Sequence, residues 1–521
     1  MLTRTMVRSN AYFDSVTLMK VSGEVAKLSG VIEVMVGMGT DLNKDSLRNV
    51  GLLSKECEAA SPNDLMIGIK TEAEENLRNA LDKIEELLTK RGKRTNNSSE
   101  KMYERIEEVS ALNEGYNLAV ISVPGAYAAR EAMTALKNDM HVFLFSDNVT
   151  VEEEIELKEY AVSKGLLMMG PDCGTAIING IPLGFANRVR RGNIGVVGAS
   201  GTGLQQVTTL IHTLGAGISQ AVGTGGRDLS ARVGGKTMLT ALEALKEDEE
   251  TEIVVIISKP PAKEVADKVF AAAEKIGKPV VICLLGSSSD LSLGENITLC
   301  HNLEDTAVKA ASLALFKDVN LSFSEGTEEA VESFQRVRTP EQKYVRAIYG
   351  GGTLCDEAMT IFRRAGISMY SNIPLNREEE LKDIEISEGN TFLDMGEDYF
   401  TRGKPHPMIE PSLRNKRIVQ DALDPSTAVM LLDVVLGHGS HEDPAGVAAE
   451  AAAVANIKLE AMGRKVLWIA ALVGTVEDPQ CYENQVKKLK AAGFIVLDSN
   501  VRAAKLAASL IARRWMVKYG C

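Results

Sequence analysis

The sequence predicts an α/β protein, with several Rossmann-like or flavodoxin-like doubly wound domains behind a small N-terminal α+β module. Three observations carry this. From Asn117 onward, short apolar β-runs alternate with amphipathic helical stretches. Glycine is abundant, at 44 of 521 residues, while aromatics make up only 5%, which suits strands and helices joined by tight turns. Two passages, Gly192–Gln205 and Tyr349–Cys355, read as strand, glycine turn and helix. That geometry aims unpaired backbone N–H groups and the positive end of a helix dipole at one point, where a phosphate is the natural occupant.

A chain of 521 residues is too long for one core. The expected division is a small α+β module with its linker over 1–110, a Rossmann domain over 111–190, a flavodoxin-type domain over 191–317, a linker over 318–342, and a second flavodoxin-type domain over 343–521. In the first module, Val16–Val21, Val31–Val36 and Asp64–Ile69 read as strands, Glu24–Leu28 as a short helix, and Leu77–Leu88 as an amphipathic helix. The polar stretch 91–112 reads as a linker or exposed arm. In the Rossmann region, strands Leu118–Val123, His141–Phe145 and Leu166–Met169 end at turns near 124, 146 and 171, where ligands of such folds gather. The next domain has strands Ile194–Val197, Ile218–Val222, Ile253–Ile257 and Val280–Leu284. The last has Val345–Tyr349, Thr391–Asp394, Val429–Val435, Val466–Ala471 and Phe494–Leu497.

The net charge of −13 argues against nucleic acid as a partner. No apolar run approaches the ~20 residues of a membrane span, and no export signal is read at the N-terminus. Seven scattered cysteines without a Cys-x-x-Cys pair suit reduced thiols, so a cytoplasmic protein is expected. A small-molecule substrate and a homo-oligomer are expected as well. There is no Walker-type phosphate loop.

The proposed anion site uses Ser200, Gly201, Thr202 and Gly203 from the first turn and Gly351, Gly352 and Thr353 from the second. Arg227, in the strand-end loop Gly223–Asp228, could bind a phosphate or carboxylate, or pair with Asp228. Lys259, before two prolines, could neutralise phosphate. His438 and His441 flank Gly439-Ser440, with Glu442 and Asp443 beside them. They could supply a general acid, ligate a metal, or serve only as hydrogen-bonded loop residues. His406, between two prolines, is a further substrate-binding candidate. Asp172 and Cys173, in the turn after Met169, are also phosphate- or substrate-binding candidates, and Cys355 follows the second glycine turn. For the cysteines, packing competes with nucleophilic chemistry. No metal is assigned.

Residues 117 to about 315 resemble the α subunit of succinyl-CoA synthetase through Gly170-Pro171-Asp172-Cys173-Gly174, the Ser200-Gly201-Thr202 turn and Val222-Gly223-Thr224-Gly225-Gly226. Residues 344 to about 510 resemble the C-terminal domain of its β subunit through Gly350–Leu354 and Asp433–Gly439. Over nearly its whole length the chain resembles the FdrA family of acyl-CoA-synthetase-like proteins. Tyr12–Val16, Met168–Ile177, Val197–Gly203, Gly350–Glu357, Gly403–Met408 and Gly437–Pro444 carry that likeness. The resemblance implies a role in allantoin degradation, as a subunit of an oxamate carbamoyltransferase that converts oxalurate and phosphate to oxamate and carbamoyl phosphate. Phosphate or carbamoyl phosphate would then lie between the two helix termini, and further subunits from the same operon would be partners. The alternative it implies is an acyl-CoA synthetase, or a regulatory or scaffold relative of one, with CoA as ligand, a CoA-binding-like Rossmann domain over 111–190 and a ligase-CoA-like domain over 343–521. Two departures stand out. The synthetase's phosphorylated His loop is matched here by Leu285–Ser292, which has no His, and His301 comes later. The CoA-binding glycine turn near the N-terminus is also missing.

Overall fold

A computed structural model of the protein describes residues 2–9, 11, 13, 15–95, 103–112, 114–259, 261–286, 294–321, 327–402 and 404–512. The chain divides into two compact units, 1–102 with 398–406, and 103–397 with 407–521.

The first unit runs β1 (Leu2–Arg8), α1 (Ser15–Ala26), β2 (Val31–Met38), α2 (Asp41–Asn49), α3 (Lys55–Ala59), β3 (Leu65–Thr71) and α4 (Glu74–Thr95). Its antiparallel sheet has the order β1-β3-β2. Val16–Val21, expected as a strand, is helical. Leu18, Val21 and Val25 are all buried, and their spacing of three and four residues puts them on one helix face. The short helix expected at Glu24–Leu28 is the end of this same helix. The expected arm at 91–112 begins inside α4, and residues 96–102 lie outside the described residues.

The second unit opens with α5 (Ile106–Ala111), β4 (Leu118–Ile121), α6 (Gly125–Lys137), β5 (His141–Leu144), α7 (Val151–Lys164) and β6 (Met168–Met169). Strands β4, β5 and β6 form a three-stranded parallel sheet. The hairpin of β7 (Thr175–Ile178) and β8 (Ile181–Gly184), which the sequence pattern had not revealed, leaves that sheet and joins the next one.

That next sheet contains β9 (Arg191–Gly198), β10 (Ile218–Gly223), β11 (Ile253–Ser258), β12 (Val280–Leu284) and β13 (Ile297–Cys300). The helices are α8 (Gly201–Thr213), α9 (Lys236–Glu247), α10 (Lys263–Glu274) and α11 (Leu303–Leu315). Its order is β13-β12-β11-β9-β10-β7-β8, and the five strands from β9 to β13 are parallel. The strand order reverses at β9, so a crevice opens where β9 and β11 end, at Gly198 and Ser258. Strand β13 was not predicted, because its alternating Ile-Thr-Leu-Cys run is short and lies at the sheet edge.

Residues 318–342 are more than a linker. They hold α12 (Thr327–Val337), which buries Val331 and Phe334 in the main core.

The last sheet contains β14 (Tyr344–Tyr349), β15 (Tyr370–Ser371), β16 (Thr391–Asp394), β17 (Thr427–Val435), β18 (Leu467–Val473) and β19 (Phe494–Leu497). It is wrapped by α13 (Gly352–Arg364), α15 (Ser412–Leu423), α16 (Pro444–Ala461), α17 (Tyr482–Ala491) and α18 (Asn500–Ala512). The short α14 (Asp398–Thr401) groups with the first unit. All six strands are parallel, in the order β15-β16-β14-β17-β18-β19, with the reversal at β14. One continuous apolar core joins the two large sheets: Leu204, Val207 and Ile211 of α8 share it with Leu354, Ala358 and Phe362 of α13. Both sheets are doubly wound, so each presents a glycine turn at its switch point.

Candidate functional site

The two glycine turns meet. In the first, Ser200 is the N-cap of α8, and its Oγ accepts the Gly203 amide at 3.0 Å. Gly203 has to be small, because a Cβ there would stand 2.2 Å from Ser200 Oγ. In the second, Gly351 is the N-cap of α13 and has no side chain to cap it, while a distant carboxylate anchors the turn that leads into the helix. Asp433 of β17 accepts the Gly350 amide at 2.9 Å on Oδ1 and the Gly351 amide at 2.8 Å on Oδ2. Asp433 is fully buried and is held in turn by Arg414 at 2.6 Å. Across the contact, Ser200 Oγ donates to Thr353 Oγ1 at 2.8 Å, in a buried bond spanning 153 residues of sequence. A Cβ at Gly351 would lie 2.6 Å from Thr202 Cγ2, so this close approach requires glycine. Ser200, Thr202, Gly203, Gly351, Gly352 and Thr353 are thus gathered at one point. Gly201 is tied to the β7 hairpin, since its carbonyl accepts from Thr175 Oγ1.

A charged rim surrounds this point. Lys259 follows β11, is half-exposed, and forms an ion pair with Asp356 in the second turn of α13. Burial alone would lower its pKa, but Asp356 outweighs that and holds the ammonium above its usual value. Asp356 is itself pushed up by burial, with Lys259 pulling the other way. Asp394, the last residue of β16, is pushed up to about 7, chiefly by burial. Glu357 is also raised by burial to about 7. It accepts the Leu303 amide at the start of α11 at 2.8 Å, and Nδ2 of Asn500 at the start of α18 at 2.8 Å.

Asp356, Asp394, Asp433 and Arg414 are site components that do not stand out in the sequence. The available signal was a carboxylate at or near the end of an apolar strand, as in Thr391-Phe392-Leu393-Asp394 and Leu431-Leu432-Asp433. Arg414, on α15, has no such signal.

Other candidates sit in different surroundings. Arg227 pairs with Glu154 at 3.0 Å and donates to the Val149 carbonyl at 2.8 Å. The Asp228 pairing weighed from sequence is not made, because Asp228 is buried against Lys158 at 2.7 Å. Cys173 is buried, with Sγ toward the carbonyls of Thr175 and Gly223, and burial pushes its thiol up to about 12. Burial likewise raises the Cys355 thiol well above its usual range. Neither is poised as a thiolate. The neighbouring Asp172 has a left-handed backbone at φ 54, and its amide donates to the Ser146 carbonyl at 2.9 Å. The His438 amide donates to the Ala186 carbonyl at 2.8 Å, and its Nε2 accepts from Arg188 Nε at 3.3 Å. The His441 Nδ1 accepts the Asp443 amide at 3.0 Å. Among the described residues no group of three or more His, Cys, Asp or Glu could hold a metal. His406 falls in the segment that groups with the first unit. Of the loop that replaces the synthetase's His loop, residues 287–292 lie outside the described residues.

Three family models match the chain: "AllF, heavy metal-associated domain" over 1–104, "CoA binding domain" over 189–286 and "CoA-ligase" over 348–510. The chain is 45% identical over 513 residues to the uncharacterized protein YahF of Escherichia coli (strain K12), covering 98% of this chain and 99% of that one. The chain belongs to the YahF family. It is also 30% identical over 187 residues to the alpha subunit of the ADP-forming succinate–CoA ligase of Staphylococcus epidermidis, covering 34% of this chain and 59% of that subunit. Among solved structures, the dinucleotide-forming acetyl-coenzyme A synthetase 1 of Ca. Korarchaeum cryptofilum is 15% identical. That match covers 80% of this chain and 87% of that one, with a TM-score of 0.31.

By the family models and the curated relatives, the organisation is like that of a succinyl-CoA synthetase alpha part joined to the C-terminal part of the beta subunit, behind an AllF-type domain. The CoA-binding match lies over the sheet of β9 to β12, in the region expected as the flavodoxin-type domain, and not over 111–190, where the CoA-binding-like domain was expected. It contains the Ser200 turn and both strand-end cations, Arg227 and Lys259. The heavy-metal description does not fit the residues of the first unit. Residues 1–104 contain no His and a single Cys, Cys57, which is buried in the core. Among the described residues, no helix is long and apolar enough to cross a membrane.

Proposed function

We propose that the chain is the CoA- and phosphate-handling part of an acyl-CoA synthetase, exchanging an acyl group between phosphate and the CoA thiol where α8 and α13 meet. The observation that supports this best is the buried Ser200–Thr353 contact between two helix N-termini, one in the CoA-binding match and the other in the CoA-ligase match. The first-turn amides of α8 are groups the helix itself cannot satisfy, and with the helix dipole they favour an anion. Lys259 adds a cation at the adjoining strand end. Nucleotide chemistry is assigned to a partner subunit, since the chain has no Walker-type loop.

A ligand that binds only the native state raises its melting temperature. CoA and phosphate should each stabilise the full chain, and with the partner an acyl phosphate should be converted to the thioester. Stabilisation by carbamoyl phosphate with no response to CoA would contradict the synthetase reading.

A second reading rests on the AllF designation of the N-terminal match. In it the same contact holds carbamoyl phosphate, and oxalurate with phosphate yields oxamate. His438 and His441 are candidate acids for the leaving nitrogen. Coupling to carbamate kinase and ADP would report it as ATP, and no ATP from the complete set of subunits would exclude it.

A further inference from the structure

We propose that Asp394 is the proton-transfer residue of this site, a role that rests on the acyl-CoA synthetase reading. Its placement carries the inference. Asp394 closes β16, beside the strand at which the last sheet reverses. Asn372 clamps its backbone from both sides: the Asp394 amide donates to Asn372 Oδ1, and Asn372 Nδ2 donates to the Asp394 carbonyl, each at 2.9 Å. The one hydrogen bond described for its side chain lands on Oδ1, from the Gly396 amide at 2.9 Å. The other oxygen, Oδ2, is aimed at the first residue of α13, where a Cβ on Gly352 would stand only 2.5 Å from it. One oxygen is thus fixed by the protein and the other faces the mouth of the helix that meets the Ser200 turn. Asp394 is only 8% exposed, so the choice between its two protonation states is set by its neighbours.

Those neighbours come from three elements. Cys355 and Asp356 lie on α13, Lys259 follows β11, and Asp433 lies on β17. The two carboxylates oppose ionisation of Asp394 and the ammonium favours it. Burial is the largest influence and carries the group up to about 7, so both forms are populated near neutrality, as a group that accepts and returns a proton requires.

The step balances. The thiol sulfur forms a bond to the acyl carbon, and the carbon–oxygen bond to phosphate breaks. The thiol proton passes to Asp394 Oδ2 and from there to the departing phosphate. An acyl phosphate and a thiol become a thioester and hydrogen phosphate, with no oxidant and no covalent protein intermediate.

Two measurements test this. The first uses the full chain with its nucleotide-handling partner. Asp394→Asn should lower acyl-phosphate-to-CoA turnover about 100-fold or more and remove the break near pH 7 from the rate profile. Formate should restore part of the rate to Asp394→Ala, which separates lost chemistry from lost folding. The second needs no turnover and uses sulfate, which does not titrate in this range, with the full chain alone. Wild-type affinity for sulfate should fall about tenfold from pH 6 to pH 8 as Asp394 ionises, while Asp394→Asn stays flat. Wild-type turnover with an unchanged rate and profile in Asp394→Asn overturns the proton-transfer role and leaves the synthetase reading standing. So does sulfate affinity that falls equally in both proteins. Absence of CoA-dependent turnover in the wild type overturns the synthetase reading and this proton route together.

Discussion

The two glycine turns look alike in sequence and are built in opposite ways. The Ser200 turn is self-sufficient: its own hydroxyl caps α8, and the end of the neighbouring strand β11 brings Lys259. The Gly350 turn is surrounded by acid. Asp433 takes its two leading amides, Asp394 presses on Gly352, and Asp356 follows one turn later. A helix N-terminus lined by three carboxylates has less to offer a phosphate, because they offset its positive dipole end. The comparison divides the labour, with the α8 terminus holding the anion and the α13 terminus governing protons.

The largest expected effect comes from removing the carboxylate that distinguishes the second turn. Asp433→Ala strands Arg414 and two buried amides, so it should cost about 3–5 kcal/mol of unfolding free energy, read by denaturant titration. A loss below about 1 kcal/mol would make the two turns equivalent after all.

Asp394→Asn sharpens the contrast through pH. The folded-state pKa of Asp394 is raised, from 3.8 to about 7, so the native state holds the proton more tightly than the unfolded chain. Stability contributed by the protonated acid is present at low pH and is lost as pH rises through this window. Asp394→Asn should therefore match wild type near pH 4 and be more stable by on the order of 4 kcal/mol at pH 8, as read from melting curves. A variant less stable at pH 8 than at pH 4, relative to wild type, would contradict the assignment.

Gly351→Ala drives a methyl into Thr202 and should cost about 2 kcal/mol by overpacking, with the double variant Gly351→Ala/Thr202→Ser recovering part of the loss. Ser200→Ala should cost about 1 kcal/mol, the worth of one helix cap.

The parallel sheets were legible because buried central strands such as Ile253–Ser258 and Thr427–Val435 are continuous apolar runs. What escaped was local. Strand β13 is half-polar at an edge, β15 has two residues, and the Val16–Val21 run is apolar enough for either periodicity until Val25 settles it as helix. The meeting of the two turns was an inference from paired motifs, and the contact between Ser200 and Thr353 gives it a geometry. The acidic lining was invisible because Asp394 and Asp433 acquire meaning only when separate strands bring them beside Gly352 and Gly350. Arg227 shows the reverse: its glycine-rich loop suggested a ligand, yet Glu154, 73 positions earlier by residue number, already holds it.

The most direct test of the account is sulfate and CoA binding to wild type and Thr202→Asp, followed by calorimetry on the full chain at pH 6. A carboxylate at Thr202 places negative charge in the first turn of α8. The account predicts that wild type binds sulfate, that Thr202→Asp loses at least tenfold in affinity, and that both melt as folded proteins. Equal sulfate affinity in the two proteins would remove the α8 terminus from anion binding and contradict the paired-terminus site.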